Sequence, residues 1–478
     1  MERRPRPRAG EGFLTARRLE LTVTKVKISV IGAGSVAWSS KLIHDLLHTP
    51  ELYGSKVYLM DINEERLRLT KALADSYMAE VGGRYDFIAT MDRREAIRDA
   101  DFVINTAMYG GHLYYEKMRR ISEKHGYYRG VNSTEWNMVS DYHTIWGYYQ
   151  WRLAMDIARD VEELAPDAWL IQMANPVFEL TTLLSRETKL KVIGLCHGHL
   201  GYKEIASALG LNPAEVEFEA IGFNHVIWLT KFKYQGEDAY PLIDRWIEEE
   251  SAKYWERWRR EQSNPFDIQM SPAAVDMYRS YGLFPVGDTV RGGTWKYHWN
   301  LETKQRWYGP TGGPDSEIGW EIYLTHGEAW LEEIAEIVRA GKPLAPLFPK
   351  GRTDESVVPL MRSIAADEPA VYQVNVLNKG AVEGLPHDIA VEIPAEVGKD
   401  VRRPAGLKLP GRILKLVLWP RMLRAEMALE AFLEGGRQVL IDWLMLDPRT
   451  KSEKQAEEAW EEILKMPENR EMADHYRG

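Results

Sequence analysis

The chain has 478 residues, 45% of them hydrophobic and 28% charged, with a formal net charge of −10. That is enough apolar material for large buried cores, so disorder is excluded as the main state, and the mild acidity carries no nucleic-acid signature. A single cysteine excludes an intrachain disulfide, and no uncharged run approaches the ~18 residues of a bilayer span. The expectation is a cytoplasmic protein that meets a small molecule and neither nucleic acid nor membrane.

The first 24 residues carry Arg3, Arg4, Arg6, Arg8, Arg17 and Arg18 but no apolar run with a small-residue cleavage site. They are expected to be a disordered tail. From Lys25 the pattern changes to Val-Lys-Ile-Ser-Val-Ile, the apolar density of a strand buried on both faces. A glycine turn follows, then helical spacing of Val36, Ile43, Leu46 and Leu47, then a second buried-type strand at 56–60 ending in Asp61. Further strands are predicted at 101–105, 168–173 and 191–195, with helices at 63–80 and 148–164 between them. This alternation predicts an α/β fold: a Rossmann-type doubly wound parallel sheet over 25–195.

Past Leu195 the alternation fades. Helices are predicted at 202–209, 316–340 and 421–434, with a hairpin at 371–377 and 389–393, so residues 196–478 form a mixed α+β domain, giving a lactate/malate dehydrogenase-like architecture. Pro343, Pro346 and Pro349 mark 341–359 as an irregular excursion. The segment 452–472 reads as one charged amphipathic helix at the surface or a subunit contact.

The motif Gly32-Ala33-Gly34-Ser35-Val36-Ala37 lies between the first strand and the first helix, where a pyrophosphate needs bare backbone and a helix N-terminus. Gly32 is assigned the tight turn, Gly34 the close phosphate approach at the helix start with Ser35, and Ala37 close helix–strand packing. Asp61, at the end of the next strand, can accept hydrogen bonds from an adenosine ribose, which favours NAD over NADP. Asn105-Thr106-Ala107 is expected to form a second wall for the cofactor.

Cys196 follows the strand at 191–195 and opens Cys196-His197-Gly198-His199, and Asn224-His225 comes 29 residues after the cysteine. A thiolate and an imidazole suit a borderline divalent metal, and two protein ligands would leave coordination positions open for substrate. A buried structural thiol beside unrelated histidines is the plainer reading of residue types alone, and spacing does not choose among the histidines. Asp141 and Asp288 stand in unusual loop sequences, yet either residue type commonly caps a helix or turn. Arg291 could fork onto a substrate carboxylate or pair with a neighbouring acid. His143, His298, Trp136, Trp146 and Trp295 read as pocket lining or packing.

Together these segments resemble family 4 of the glycoside hydrolases, NAD- and metal-dependent glycosidases with a Rossmann-type domain. The resemblance is carried by Val30-Ile31-Gly32-Ala33-Gly34-Ser35, Leu59-Met60-Asp61-Ile62, Asn105-Thr106-Ala107, Ala174-Asn175-Pro176, Cys196-His197-Gly198-His199, Asn224-His225, Gly287-Asp288-Thr289-Val290-Arg291 and Val391-Glu392-Ile393-Pro394. It implies a Mn²⁺-type ion held by Cys196 and His225, Asn175 reaching the sugar hydroxyls or the metal, and Asp141 and Asp288 as the acid/base pair. Cys-His-Gly is most similar to the branch acting on α-uronides, with His197 at the position that sorts substrates. The arginine-rich tail has no counterpart in that pattern. A homodimer or homotetramer is implied as well.

Such enzymes depart from the usual two-carboxylate glycosidase. Transient oxidation of the sugar at C3 makes the C2 hydrogen acidic; its removal expels the leaving group at C1, water adds back, and the hydride returns to C3. Asp288 is assigned as the C2 base and Asp141 as the acid to the leaving group. Thiolate ligation predicts inactivation by air and protection by reductant. The alternatives are an α-glucosidase or α-galactosidase of the same family acting on unphosphorylated sugars such as maltose, a malate/lactate-type dehydrogenase that would accumulate NADH, and a cofactor-binding sensor with a dead sugar site.

Overall fold

The computed structural model describes residues 23–130, 147–292 and 294–476. Asp141, with Trp136, His143 and Trp146, lies outside the described residues, as does nearly all of the arginine-rich segment.

Strands β1 (Lys27–Ile31), β2 (Lys56–Met60), β3 (Asp86–Thr90), β4 (Phe102–Asn105), β5 (Trp169–Gln172) and β6 (Lys191–Gly194) pair in parallel in the order 3-2-1-4-5-6. Helices α1 (Val36–Leu47), α2 (Glu64–Val81), α3 (Arg93–Ile97), α4 (Gly111–Lys124), α5 (Tyr148–Leu164) and α6 (Val177–Glu187) supply the crossovers. The order reverses between β1 and β4, the point at which doubly wound sheets bind ligands beyond the carboxyl ends of their strands. Side-chain alternation explains why this sheet needs cover on both faces. Ile28 and Val30 enter one apolar cluster with Leu42, Ile43 and Leu73, whereas Ile31 and Val103 enter the other with Ile157 and Trp460. β3 escapes the sequence pattern because it is an edge strand with only Phe87 buried.

The second half continues the same sheet rather than building a separate one. β7 (Val216–Phe223), β8 (Val226–Tyr234), β9 (Glu237–Asp238), β10 (Pro285–Val286), β11 (Ala370–Leu377), β12 (Ala390–Val397) and β13 (Val401–Arg402) pair antiparallel. The junction is narrow: Asn375 of β11 pairs with Gly194 of β6, and a Cβ on Gly194 would come within 2.3 Å of Thr181 Oγ1.

One expectation needs correction. The C-terminal segment is not one surface helix, because Pro467 opens a short 3-10 turn that separates Glu453–Leu464 from Arg470–His475. Its apolar stripe is also buried: Ala456, Ala459, Trp460 and Ile463 are fully covered within the second core cluster. A fully buried large side chain such as Ile463 contributes about 1.5–3 kcal/mol, and each alanine methyl less than about 1 kcal/mol. The proline-containing stretch is a strap lying across α1 and α2. Leu344 N–H donates to Glu80 (2.7 Å), Thr353 donates twice to Asp45 (2.6 Å each), and Phe348 stacks on His44 and Tyr77.

Candidate active site

The carboxyl-end loops of the parallel strands bring the glycine motif, Asp61, Asn105, Asn175 and Cys196 to one edge of the sheet. Gly32 has φ +94°, and a Cβ there would lie 2.7 Å from the Ala107 backbone nitrogen, so the turn and the close passage of the β4 loop both require glycine. Gly34 N–H donates to Asp61 Oδ2 at 2.7 Å, and Asp61 Oδ1 accepts from Asn63 N–H at 2.8 Å. The carboxylate thus closes over the glycine loop and leaves no room for a Cβ on Gly34.

Helix α1 begins at this loop with no side-chain cap and no acidic residue in its first turn, and Ser35 is exposed. Such an end suits an anionic group. Ala37 does not pack between helix and strand as expected. It is exposed, and the close packing falls to Ala33, which is fully buried and accepts hydrogen bonds at its carbonyl from Ser39 and Thr70.

Asn105 is likewise not a bare wall. Its Nδ2 donates to Gln172 Oε1 (2.9 Å), its Oδ1 accepts from Ala107 N–H (3.1 Å), and its carbonyl accepts from Met173 and Ala174. It braces the two loops that flank it. The next residue along, Asn175, has a buried Oδ1 with no hydrogen-bond partner among the described residues.

Beyond β6 the structure separates three histidines that spacing could not rank. His225 Nε2 is 3.6 Å from Cys196 Sγ. His197 points away, with Nδ1 3.3 Å from Glu355 Oε1, and that hydrogen bond raises its pKa to about 9. His199 is buried and stacked on Phe218, and burial lowers its pKa to about 4. His225 occupies the two-residue turn between β7 and β8 with φ +64°, a left-handed conformation uncommon for a residue with a side chain. Gly222 permits the turn, since a Cβ there would meet Val226 O at 1.9 Å.

Asp288 completes the cluster, its Oδ2 lying 3.2 Å from His225 Nε2. Burial alone would raise its pKa, but Arg291 and His225 outweigh this and hold the carboxyl well below the usual range. Arg291 is not open to a substrate carboxylate, contrary to the reading from sequence. It is 2% exposed, donates from Nε to Asp288 (2.9 Å), and grips Asp315 from Nη1 (2.8 and 2.9 Å). The alternative of pairing with an acid holds, though in the core rather than at the surface. His298 is also core, fully buried beside Lys304 Nζ at 3.0 Å.

Asp315 and Glu355 went unseen in the sequence, and Glu392 entered only within the segment Val391-Glu392-Ile393-Pro394, with no role assigned. Glu355 is delivered by the strap, and nothing local to Asp315 marks it. Glu392 did leave a trace, a carboxyl inside the apolar run Val391-Glu392-Ile393; burial raises its pKa, against the opposing effect of the Asn224 amide. Among the described residues no group of three or more His, Cys, Asp and Glu is arranged to hold a metal ion, so any ion here would rest on few protein ligands. No helix among them is long and apolar enough to cross a membrane.

The description "Family 4 glycosyl hydrolase" matches residues 27–211, and "Family 4 glycosyl hydrolase C-terminal domain" matches residues 220–450. The chain is 27% identical to an alpha-galactosidase of Bacillus subtilis over 89% of its own length and 94% of that protein's. It is 24% identical to an alpha-galacturonidase of Thermoanaerobacter italicus, covering 89% and 92%. Among solved structures, a 6-phospho-alpha-glucosidase from gut microorganisms, in complex with NAD and Mn²⁺, superposes with a TM-score of 0.74 at 19% identity, covering 92% of this chain and 97% of that one. With both halves of the family pattern present across one continuous sheet, the chain belongs to family 4 of the glycosyl hydrolases.

Proposed function

We propose that this protein is an NAD- and divalent-metal-dependent α-glycosidase that acts on α-uronides, α-glucuronides or α-galacturonides, by reversible oxidation at C3, loss of the C2 proton and elimination at C1. The observation that carries this reading is the convergence of Cys196, His225 and Asp288 at the sheet edge that also presents the Gly32–Gly34 loop. When bound, NAD supplies a reversible hydride acceptor and a Mn²⁺-type ion supplies a Lewis acid at the sugar hydroxyls.

Gly32, Gly34 and Ser35 would hold the pyrophosphate, with Ala37 exposed beside them and Asp61 facing the ribose; Asn105 fixes the loops on either side. Cys196 and His225 would hold the ion, and the unpartnered Asn175 Oδ1 is suited to a sugar hydroxyl or the ion itself. Asp288, kept ionised by its neighbours, takes the C2 proton. Its low basicity is a handicap for that step, and the acidified C2–H of a 3-keto sugar is what makes the transfer feasible. Asp141 protonates the departing oxygen. His197 is exposed at the rim, its charge favoured by Glu355 at 3.3 Å, so it, rather than the buried Arg291, would meet a uronate carboxylate, alongside or in exchange for that pairing.

The specific observation favouring a second reading, a neutral α-galactoside, is the 27% identity to an alpha-galactosidase. Hydrolysis of α-galactosides, α-glucosides, maltose and α-uronides in D₂O, under reducing conditions with NAD and Mn²⁺, separates the readings. Product NMR should show deuterium at C2, and the panel should favour a uronide. Retention of protium at C2 rules out elimination, and steady accumulation of NADH returns the case to a net dehydrogenase.

A further inference from the structure

Glu392 sits in the middle of β12 between two fully buried neighbours, Val391 and Ile393, and is itself 1% exposed. A carboxyl in such a place is costly unless hydrogen bonds offset it, and an aliphatic residue would suit the strand better. Its Oε2 accepts from Asn224 Nδ2 (2.9 Å) and, more loosely, from Asn375 Nδ2 (3.3 Å). Satisfaction is incomplete: Glu392 Oε1, Asn224 Oδ1 and Asn375 Oδ1 are all buried and unpartnered among the described residues. A cluster like this is a poor way to stabilise a sheet.

The strand register gives it another use. Glu392 stands opposite Gly222 of β7 and opposite Asn375 of β11, which itself stands opposite Gly194 of β6. Two residues after Gly194 comes Cys196, and three after Gly222 comes His225. The carboxyl therefore lies at the seam between the strand ends that carry the cysteine and the histidine. Holding His225 at φ +64° is strained for a residue with a side chain and persists only where surrounding contacts over-determine the turn. Thr289 Oγ1 clamps one side through Ile227 N–H (2.7 Å) and O (2.9 Å), and Glu392 clamps the other through Asn224.

We infer that Glu392 is a positioning residue for His225: by gripping the Asn224 amide it fixes the turn so that the imidazole Nε2 faces Cys196. The inference rests on the reading of His225 as a metal ligand. The test is titration of Mn²⁺ alone into the full chain, followed by the EPR signal of the free ion, with Co²⁺ substitution to read the thiolate-to-cobalt absorption. Asn224→Ala and Glu392→Leu should each weaken binding about 10–100-fold and diminish the cobalt band, the double variant being no weaker than either alone. Glu392→Gln, whose amide oxygen still accepts from Asn224, should restore most of the affinity. Asn375→Ala, which touches the same carboxylate but not the turn, should bind as the parent does. The inference is overturned if Asn375→Ala weakens binding as much as Asn224→Ala, or if Asn224→Ala binds normally; the latter arm serves even where Glu392→Leu fails to fold. Normal binding by His225→Ala would instead overturn the ligand reading itself.

Discussion

His225 Nε2 and Asp288 Oδ2 lie 3.2 Å apart, although they come from a hairpin turn and a 3-10 turn separated by more than sixty residues. The side chain proposed to hold the ion and the carboxylate proposed to take the proton thus share one small volume. Asp288→Asn should lower kcat by about 10²–10⁴-fold, the range for a lost general base. It should also weaken Mn²⁺ binding, because a neighbouring negative charge is removed. A variant with full turnover in the substrate panel would remove Asp288 from the reaction.

Cys196 is half-buried beside that pair, as a single free thiol. Cys196→Ser should weaken metal binding by more than the about 10–100-fold typical of losing an outer partner. Peroxide should inactivate the parent protein, and thiol reductant should reverse the early, sulfenic stage of the damage. Activity and the cobalt–thiolate absorption should fall together. Peroxide resistance in the parent would count against ligation by this thiol.

Arg291 holds two carboxylates, so Arg291→Met removes the guanidinium partner of the buried Asp315 and of the partly exposed Asp288. Removing one member of a buried pair typically costs about 3–5 kcal/mol, readable by denaturant unfolding. The pH dependence has a definite sign. Asp288 is held below its ordinary value in the folded protein, so its contribution is present above the unfolded-state pKa of about 3.9 and is lost as pH falls through the lower, folded-state value. In Arg291→Met the carboxyl rises toward its ordinary value, and acid unfolding should begin at higher pH than in the parent. Coincident acid transitions would contradict the pairing.

Gly34→Ala would bring a methyl group to 2.7 Å from the Asp61 carboxylate. The side chain can swing aside, so the fold should survive, but the Gly34–Asp61 hydrogen bond should be lost together with the approach of any phosphate to the backbone. NAD affinity, followed by quenching of intrinsic tryptophan fluorescence, should fall about tenfold or more, roughly the 1.4 kcal/mol equivalent of one good hydrogen bond. Gly32→Ala should be worse, because its Cβ would strike backbone rather than a rotatable side chain, and the φ of +94° adds strain. Equal NAD affinity in Gly34→Ala and the parent would move the dinucleotide site elsewhere.

Much of this was legible in the sequence. The buried strands at 27–31 and 56–60, the glycine turn, Asp61 and the crossover helices α1, α2 and α5 follow from apolar periodicity and turn chemistry, which are local properties of the chain. The same local signals failed where the decisive contacts were distant. β3 is an edge strand with one buried residue, and the β7–β8 turn that carries His225 has no glycine at its left-handed position. Sequence offered three histidines for one cysteine; only the folded sheet, by pairing β12 with β7 and β11 with β6 in a fixed register, brings His225 to Cys196 and sends His197 to Glu355 and His199 into the core. The fate of Arg291 was equally hidden, because whether a guanidinium meets a substrate or a buried Asp315 depends on which loops pack over it. Strand and helix identity is written in spacings of a few residues, whereas side-chain partners across a sheet are fixed by long-range packing, and that difference of range separates what the chain states from what only its fold decides.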